Sequence, residues 1–271
     1  LGLTVVTPAA PTERGARITV SINDLRRFLE DPLQASARFH LRLREEQGDD
    51  ELADAQDEPF ASEPWGRSQR LRQAMTQALL ASSTVPTCAV LEQLYRQLSL
   101  RQEISSQGPA GLFREAEVAE HMKVLETWQS GLQAVAPGGA MHTRLLHFGK
   151  AMADEPTREI LAALPIALEG GLGAEIQGST NLIVERPGLP RESLVLLHRP
   201  LDKGDLGRHW LSAFLDHVVL AAAGIAQEEH GARLLLADKN DPPLQRFAPL
   251  STARARDYLR ECGADAAELS L

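Results

Sequence analysis

Two hydrophobic periodicities divide this chain. From about Trp65 to Val135, apolar side chains recur at the three-and-four spacing of an α-helix. They are Leu71, Met75 and Leu79, then Leu91, Leu94 and Leu98, then Val118, Met122, Leu125, Trp128 and Leu132. Past Gly138-Gly139 this spacing gives way to short β-permissive apolar runs over 160–169 and 174–185, joined through Gly170-Gly171. Such a switch predicts an all-helical region followed by an α/β unit, a mixed sheet flanked by helices.

Start and stop signals refine that outline. Residues 1–17 carry Pro8 and Pro11 and no apolar face, which reads as a linker into the domain rather than part of its core. Structure is expected from Ile18, with Ser21 and Asp24 as a capping-box start and Leu25, Phe28 and Leu29 on one face. Asp31-Pro32 ends that helix and opens a second over 33–46, which carries Phe39 and Leu43. The acidic stretch at 48–58 reads as a solvated loop. Pro86 opens the helix that bears Leu91.

In the second part Arg186-Pro187-Gly188 reads as a turn, 193–198 as a buried strand and 204–224 as a helix with Trp210, Leu211, Phe214 and Val218 inward. A strand over 233–237 is broken by Asp241-Pro242-Pro243, and Ser251 caps a last helix reaching Cys262. The domain reading is a helical region over 18–137 and an α/β core over 138–271, packed as one domain.

With a net charge of −9 the chain is a poor free-standing nucleic-acid binder, although a local basic face is compatible with that balance. No apolar run reaches the ~18–20 residues of a membrane span. Cys88 and Cys262 lie outside any CxxC pair, and they are expected to be small buried hydrophobes in a reducing, cytoplasmic compartment. Gly149-Lys150-Ala151 lacks the first glycine and the hydroxyl of a phosphate-binding loop, and no dinucleotide, serine-hydrolase or zinc-protease motif occurs. Glu117 with His121, and His209 with His217, read as structural pairs lacking a third ligand. No cofactor or metal is expected.

One constellation is more informative. The segment Gly178-Ser179-Thr180-Asn181-Leu182-Ile183-Val184, a hairpin, and Leu194-Val195-Leu196-Leu197-His198-Arg199-Pro200 share the layout of the PD-(D/E)XK nuclease core. In those nucleases an aspartate on one strand and an acidic-x-Lys triplet on the next hold Mg²⁺, because a hard cation wants carboxylate oxygens. Here Asn181, His198 and Pro200 stand at the three positions. An amide, an imidazole and a proline cannot build an oxygen-rich site. Side-by-side strands are expected to place the three together at one sheet edge.

The chain also resembles the C-terminal domain of the RecC family, the gamma chain of exodeoxyribonuclease V. The resemblance rests on Ile22-Asn23-Asp24-Leu25-Arg26-Arg27-Phe28-Leu29-Glu30-Asp31-Pro32 and on Asp57-Glu58-Pro59-Phe60 followed by Arg67-Ser68-Gln69-Arg70-Leu71-Arg72. It continues through Gly108-Pro109-Ala110-Gly111, Leu206-Gly207-Arg208-His209-Trp210-Leu211 and Arg233-Leu234-Leu235-Leu236. It implies a nuclease-like but catalytically silent domain, one that guides DNA within a helicase-nuclease alongside the beta (RecB) and alpha (RecD) chains. The hairpin arginines Arg186 and Arg191 are the candidate DNA contacts. Two other readings compete: an active nuclease with relocated acids at Glu175, Glu185, Glu192 or Asp202, and an unrelated α/β enzyme.

Overall fold

The computed structural model describes residues 17–31, 60–105, 107–136, 140–150, 159–168, 173–200 and 206–268. Most of the expected linker, the helix expected over 33–46 and the acidic loop lie outside the described residues.

Ser21 caps α1 (Ile22–Glu30) as its spacing predicts. Its hydroxyl oxygen accepts from the Asp24 amide at 2.9 Å while its O–H donates to the Asp24 carboxylate at 2.7 Å. The preceding residues, given no secondary structure from sequence beyond a start at Ile18, form strand β1 (Arg17–Ser21).

Three long helices follow: α2 (Pro64–Ala81), α3 (Cys88–Ile104) and α4 (Gly111–Val135). Pro64 occupies the first turn of α2, and the Thr87 hydroxyl caps α3 by accepting from the Val90 amide at 3.4 Å. Their apolar stripes meet in one core containing Leu71, Met75, Leu79, Leu91, Tyr95, Leu125 and Trp128. Each large side chain buried there contributes about 1.5–3 kcal/mol. Cys88 does not share that burial. It lies in line with the stripe, three residues before Leu91, but as the first residue of α3 it is exposed, contrary to expectation. Cys262 is half-buried.

The second half is richer in strands than its sequence suggests. Two three-residue strands, β2 (His142–Arg144) and β3 (Leu146–Phe148), precede the expected ones. The first apolar run divides into β4 (Glu159–Leu161) and β5 (Leu164–Ala167), the second into β6 (Gly173–Ser179) and β7 (Leu182–Glu185). Then come β8 (Arg191–Leu196), α5 (Leu206–Ala222), β9 (His230–Leu235), β10 (Leu244–Phe247) and α6 (Thr252–Glu268). β9 stops at Leu235, before Asp241-Pro242-Pro243 is reached, and after the prolines the chain turns back as β10, antiparallel to it.

These strands make two mixed sheets, and the fold is α/β. In one, β6 pairs in parallel with β1 and antiparallel with β5, and its end pairs antiparallel with β3, which runs parallel to β4. So β1 and α1 pack with the α/β half, α1 lying in the same core as β6, α5 and α6. Gly178, at φ +115°, lets β6 pass close to α1, where a Cβ would stand 3.4 Å from the Ile22 nitrogen.

The other sheet has the order β10-β9-β8-β7-β2, with β8 and β9 parallel. Alternation gives it two buried faces. Leu182, Val184, Leu194, Leu196 and Leu235 join the helical-bundle core, while Val195, Leu197, Ala232 and Leu234 pack on Ala213 of α5. The Trp128 indole N–H donates to the Leu197 carbonyl at 3.3 Å and ties the bundle to β8.

Candidate functional site

On the α5 side of this sheet a single carboxylate sits in an otherwise apolar stretch of helix. Asp216 is 0% exposed. A buried charge survives only when paired and hydrogen-bonded, and Asp216 is both. Its Oδ1 accepts from Arg26 Nη2 of α1 at 2.6 Å. Its Oδ2 accepts from Asn181 Nδ2 at 2.7 Å and from the Ser193 hydroxyl at 2.9 Å, and the Asn181 backbone N–H is 3.2 Å from both oxygens.

Ser193 Oγ also lies 2.9 Å from His230 Nε2. Since Ser193 donates to Asp216, the pattern assigns the His230 proton to Nε2. Burial first, with the neighbouring His217 and Arg191 adding to it, pushes His230 down to about 4 despite the nearby Asp216. His217 stacks on it at 5.3 Å, hydrogen-bonds the Ala248 carbonyl through Nε2 at 3.0 Å and is likewise lowered by burial. Serine, histidine and aspartate meet here, but Ser193 is fully buried and donates to the carboxylate, which makes a structural hub rather than a nucleophile.

The three degenerate nuclease positions separate. Asn181 belongs to the hub, its amide also reaching Ser212 Oγ at 3.2 Å. The β7–β8 register sets Leu182 opposite Leu194, so Asn181 lies level with Val195, three residues short of His198. Alternation then puts His198 on the other face, after Leu194 and Leu196, where burial and the charges of Arg72, Arg199 and Arg67 lower its pKa. Pro200 is exposed beyond the strand. The expected grouping of Asn181 with His198 at one edge is therefore corrected by register and pleat.

The hairpin arginines turn inward. Arg186 has 8% of its side chain exposed, donates to the Val135 carbonyl at 2.8 Å and pairs with Glu192. Arg233 also grips Glu192, at 2.7 and 3.0 Å. Arg191 donates to Glu185 at 2.8 Å and to the Ile225 carbonyl at 3.2 Å. Burial opposes ionisation of Glu185, but Arg191 and Arg144 outweigh it and hold the carboxyl below its usual range.

Of the alternative acids, Glu185 and Glu192 are thus each held by two arginines, Glu175 is half-buried on β6, and Asp202 lies outside the described residues. Among the described residues no three His, Cys, Asp or Glu side chains converge as a metal-binding group. The Mg²⁺ site of the PD-(D/E)XK nucleases does not fit these side chains.

A second buried polar cluster, inside the bundle, was visible in the sequence only as the Glu117–His121 pair. Those two lie 3.6 Å apart, but Arg70 of α2 and Tyr95 of α3 complete the group. Burial depresses His121. His209 and His217 share α5, and His217 is spent on its stack with His230.

A family model described as RecC C-terminal domain matches residues 18–264. No curated protein matches the chain. A solved structure described as "Crystal structure of SSO0001" is 14% identical, covers 73% of this chain and 83% of that chain, and superposes with a TM-score of 0.31, a likeness too slight to bear on the fold.

Proposed function

The chain belongs to the RecC C-terminal domain family, and on that premise we propose that it is a catalytically silent, nuclease-like module of the RecC subunit in an ATP-dependent helicase-nuclease. In this reading the complex processes DNA double-strand breaks for recombinational repair in the cytoplasm. The module is a scaffold that packs against the beta and alpha chains and guides DNA, performing no chemistry itself.

The observation that carries the reading is the family match over residues 18–264, and the state of the Asn181 position agrees with a silent domain. A nuclease needs an open carboxylate there. Here an amide is clamped between Asp216 and Ser212, and Asp216 is itself neutralised by Arg26 and further donors. The relocated-acid reading lacks comparable support, because its candidates Glu185 and Glu192 are occupied by arginines. Among the described residues no helix is long and apolar enough to cross a membrane.

The test is cleavage of end-labelled duplex and single-stranded DNA by the full-length chain without its partner subunits, in Mg²⁺ or Mn²⁺. The expected result is no product above a chelator control. Metal-dependent degradation that disappears in a Glu185→Gln or Glu192→Gln variant would overturn the reading in favour of a nuclease with relocated acids.

A further inference from the structure

Where β8 ends, the chain leaves the sheet through His198 and Arg199. Leu194 and Leu196 point into the bundle core, and His198, two residues on, continues that row. Helix α2 supplies a facing row of Leu71 and Met75. Arg67, four residues before Leu71, extends that row toward the helix start, and Arg72 follows Leu71 at the exposed margin of the row.

Both rows run out at one corner, where Arg67, Arg72 and Arg199 bear electrostatically on His198 and, among the described residues, no carboxylate acts on it. By contrast Arg26, Arg70, Arg144, Arg186, Arg191 and Arg233 each face an acid. Arg67 Nε and His198 Nε2 are buried with no hydrogen-bond partner among the described residues. Arg72 and Arg199 are exposed. In a chain of net charge −9, three guanidiniums gathered without a counter-charge among the described residues form a local positive field that a polyanion would relieve.

We propose that the corner formed by Arg67, Arg72 and Arg199 around His198 binds the phosphate backbone of DNA. The proposal rests on the DNA-guiding reading above and moves the contact from the 186–191 hairpin to the opposite end of β8. Guanidiniums suit it because their planar forks grip phosphate oxygens in pairs. His198, neutral at pH 7, is a hydrogen-bonding floor rather than a fourth charge.

The test uses the assembled helicase-nuclease, with DNA-end affinity measured on blunt duplex across about 50 to 300 mM salt in the absence of divalent metal. The Arg67→Gln, Arg72→Gln, Arg199→Gln triple variant is expected to flatten the slope of log affinity against log salt by roughly two to three, and each single variant by roughly one. An Arg-to-Lys triple variant should retain most of the slope, and Arg186→Ala with Arg191→Ala should leave it unchanged. Arg72→Gln and Arg199→Gln alter exposed side chains, so they report even if the triple variant fails to assemble. An unchanged slope in these variants, or a change confined to the hairpin pair, overturns the proposal. A corner that serves free phosphate instead would show the unchanged DNA slope together with loss of thermal protection by inorganic phosphate. Metal-dependent cleavage by the full-length chain would overturn the catalytic reading and leave the slope test standing.

Discussion

Replacing Asn181 with Asp restores the residue type a nuclease requires at this position, and the structure predicts that it damages the fold instead. Asn181 Nδ2 donates to Asp216 Oδ2 across 2.7 Å. In the variant an oxygen stands there, and two carboxylates confront each other. At that separation unit charges repel by about 6 kcal/mol for an effective dielectric of about 20. Asn181 is half-buried, and solvent screening reduces this to about 3 kcal/mol. The lost hydrogen bond to a charged group adds about 1.5 kcal/mol, so the variant should lose about 4.5 kcal/mol at pH 7.5. That repulsion disfavours having both carboxylates ionised, so one of the two holds its proton more tightly in the folded variant than in the unfolded chain. The folded variant therefore holds a proton that the unfolded chain has released. Its deficit is largest at neutral pH and shrinks as pH falls toward the ordinary carboxylate range near about 4. Urea unfolding of this chain and the variant, followed by circular dichroism at pH 4.5 and 7.5, measures the difference. A deficit under about 1 kcal/mol at pH 7.5, or one equal at both pH values, would refute the hub as described.

Arg26→Ala should cost about 3–5 kcal/mol in the same assay, because it strands Asp216 in the core; a loss no greater than that of an exposed arginine would mean that water compensates the charge. Wild-type stability should fall as pH drops from about 6.5 to 4, since His230 titrates at about 4 folded and about 6.5 unfolded and the unfolded chain binds the proton first, a contribution of about 3 kcal/mol. His230→Gln should flatten that slope, and an identical slope would place the titration elsewhere. The Asn181→Asp, His198→Asp, Pro200→Lys variant should show no Mg²⁺-dependent cleavage, because residues 181 and 198 serve opposite sheet faces; robust cleavage would show that the two carboxylates do converge.

What the sequence determined by itself is the local order. The stripes on α2, α3 and α4 and the Ser21 cap involve residues three or four apart, and the burial they record is decided within one helix. The apolar strands β8 and β9 were legible to within a few residues for the same reason, whereas β6 and β7 read as one run. Tertiary structure alone decided the rest. β1 is a strand because β6, more than a hundred residues later, pairs with it, and β2 and β3 are too short to show a period before a partner is present. Asp216 went unremarked in the sequence, although a lone acid in an apolar helix is a signal, and its compensation by Arg26 of α1 and Ser193 of β8 required three elements to meet. Asn181 and His198 could be matched to motif positions, yet whether they share a face depends on the register of β7 against β8, where a shift of one residue reverses every side chain. Local periodicity records that a side chain is buried, and only the packing of distant segments decides against what.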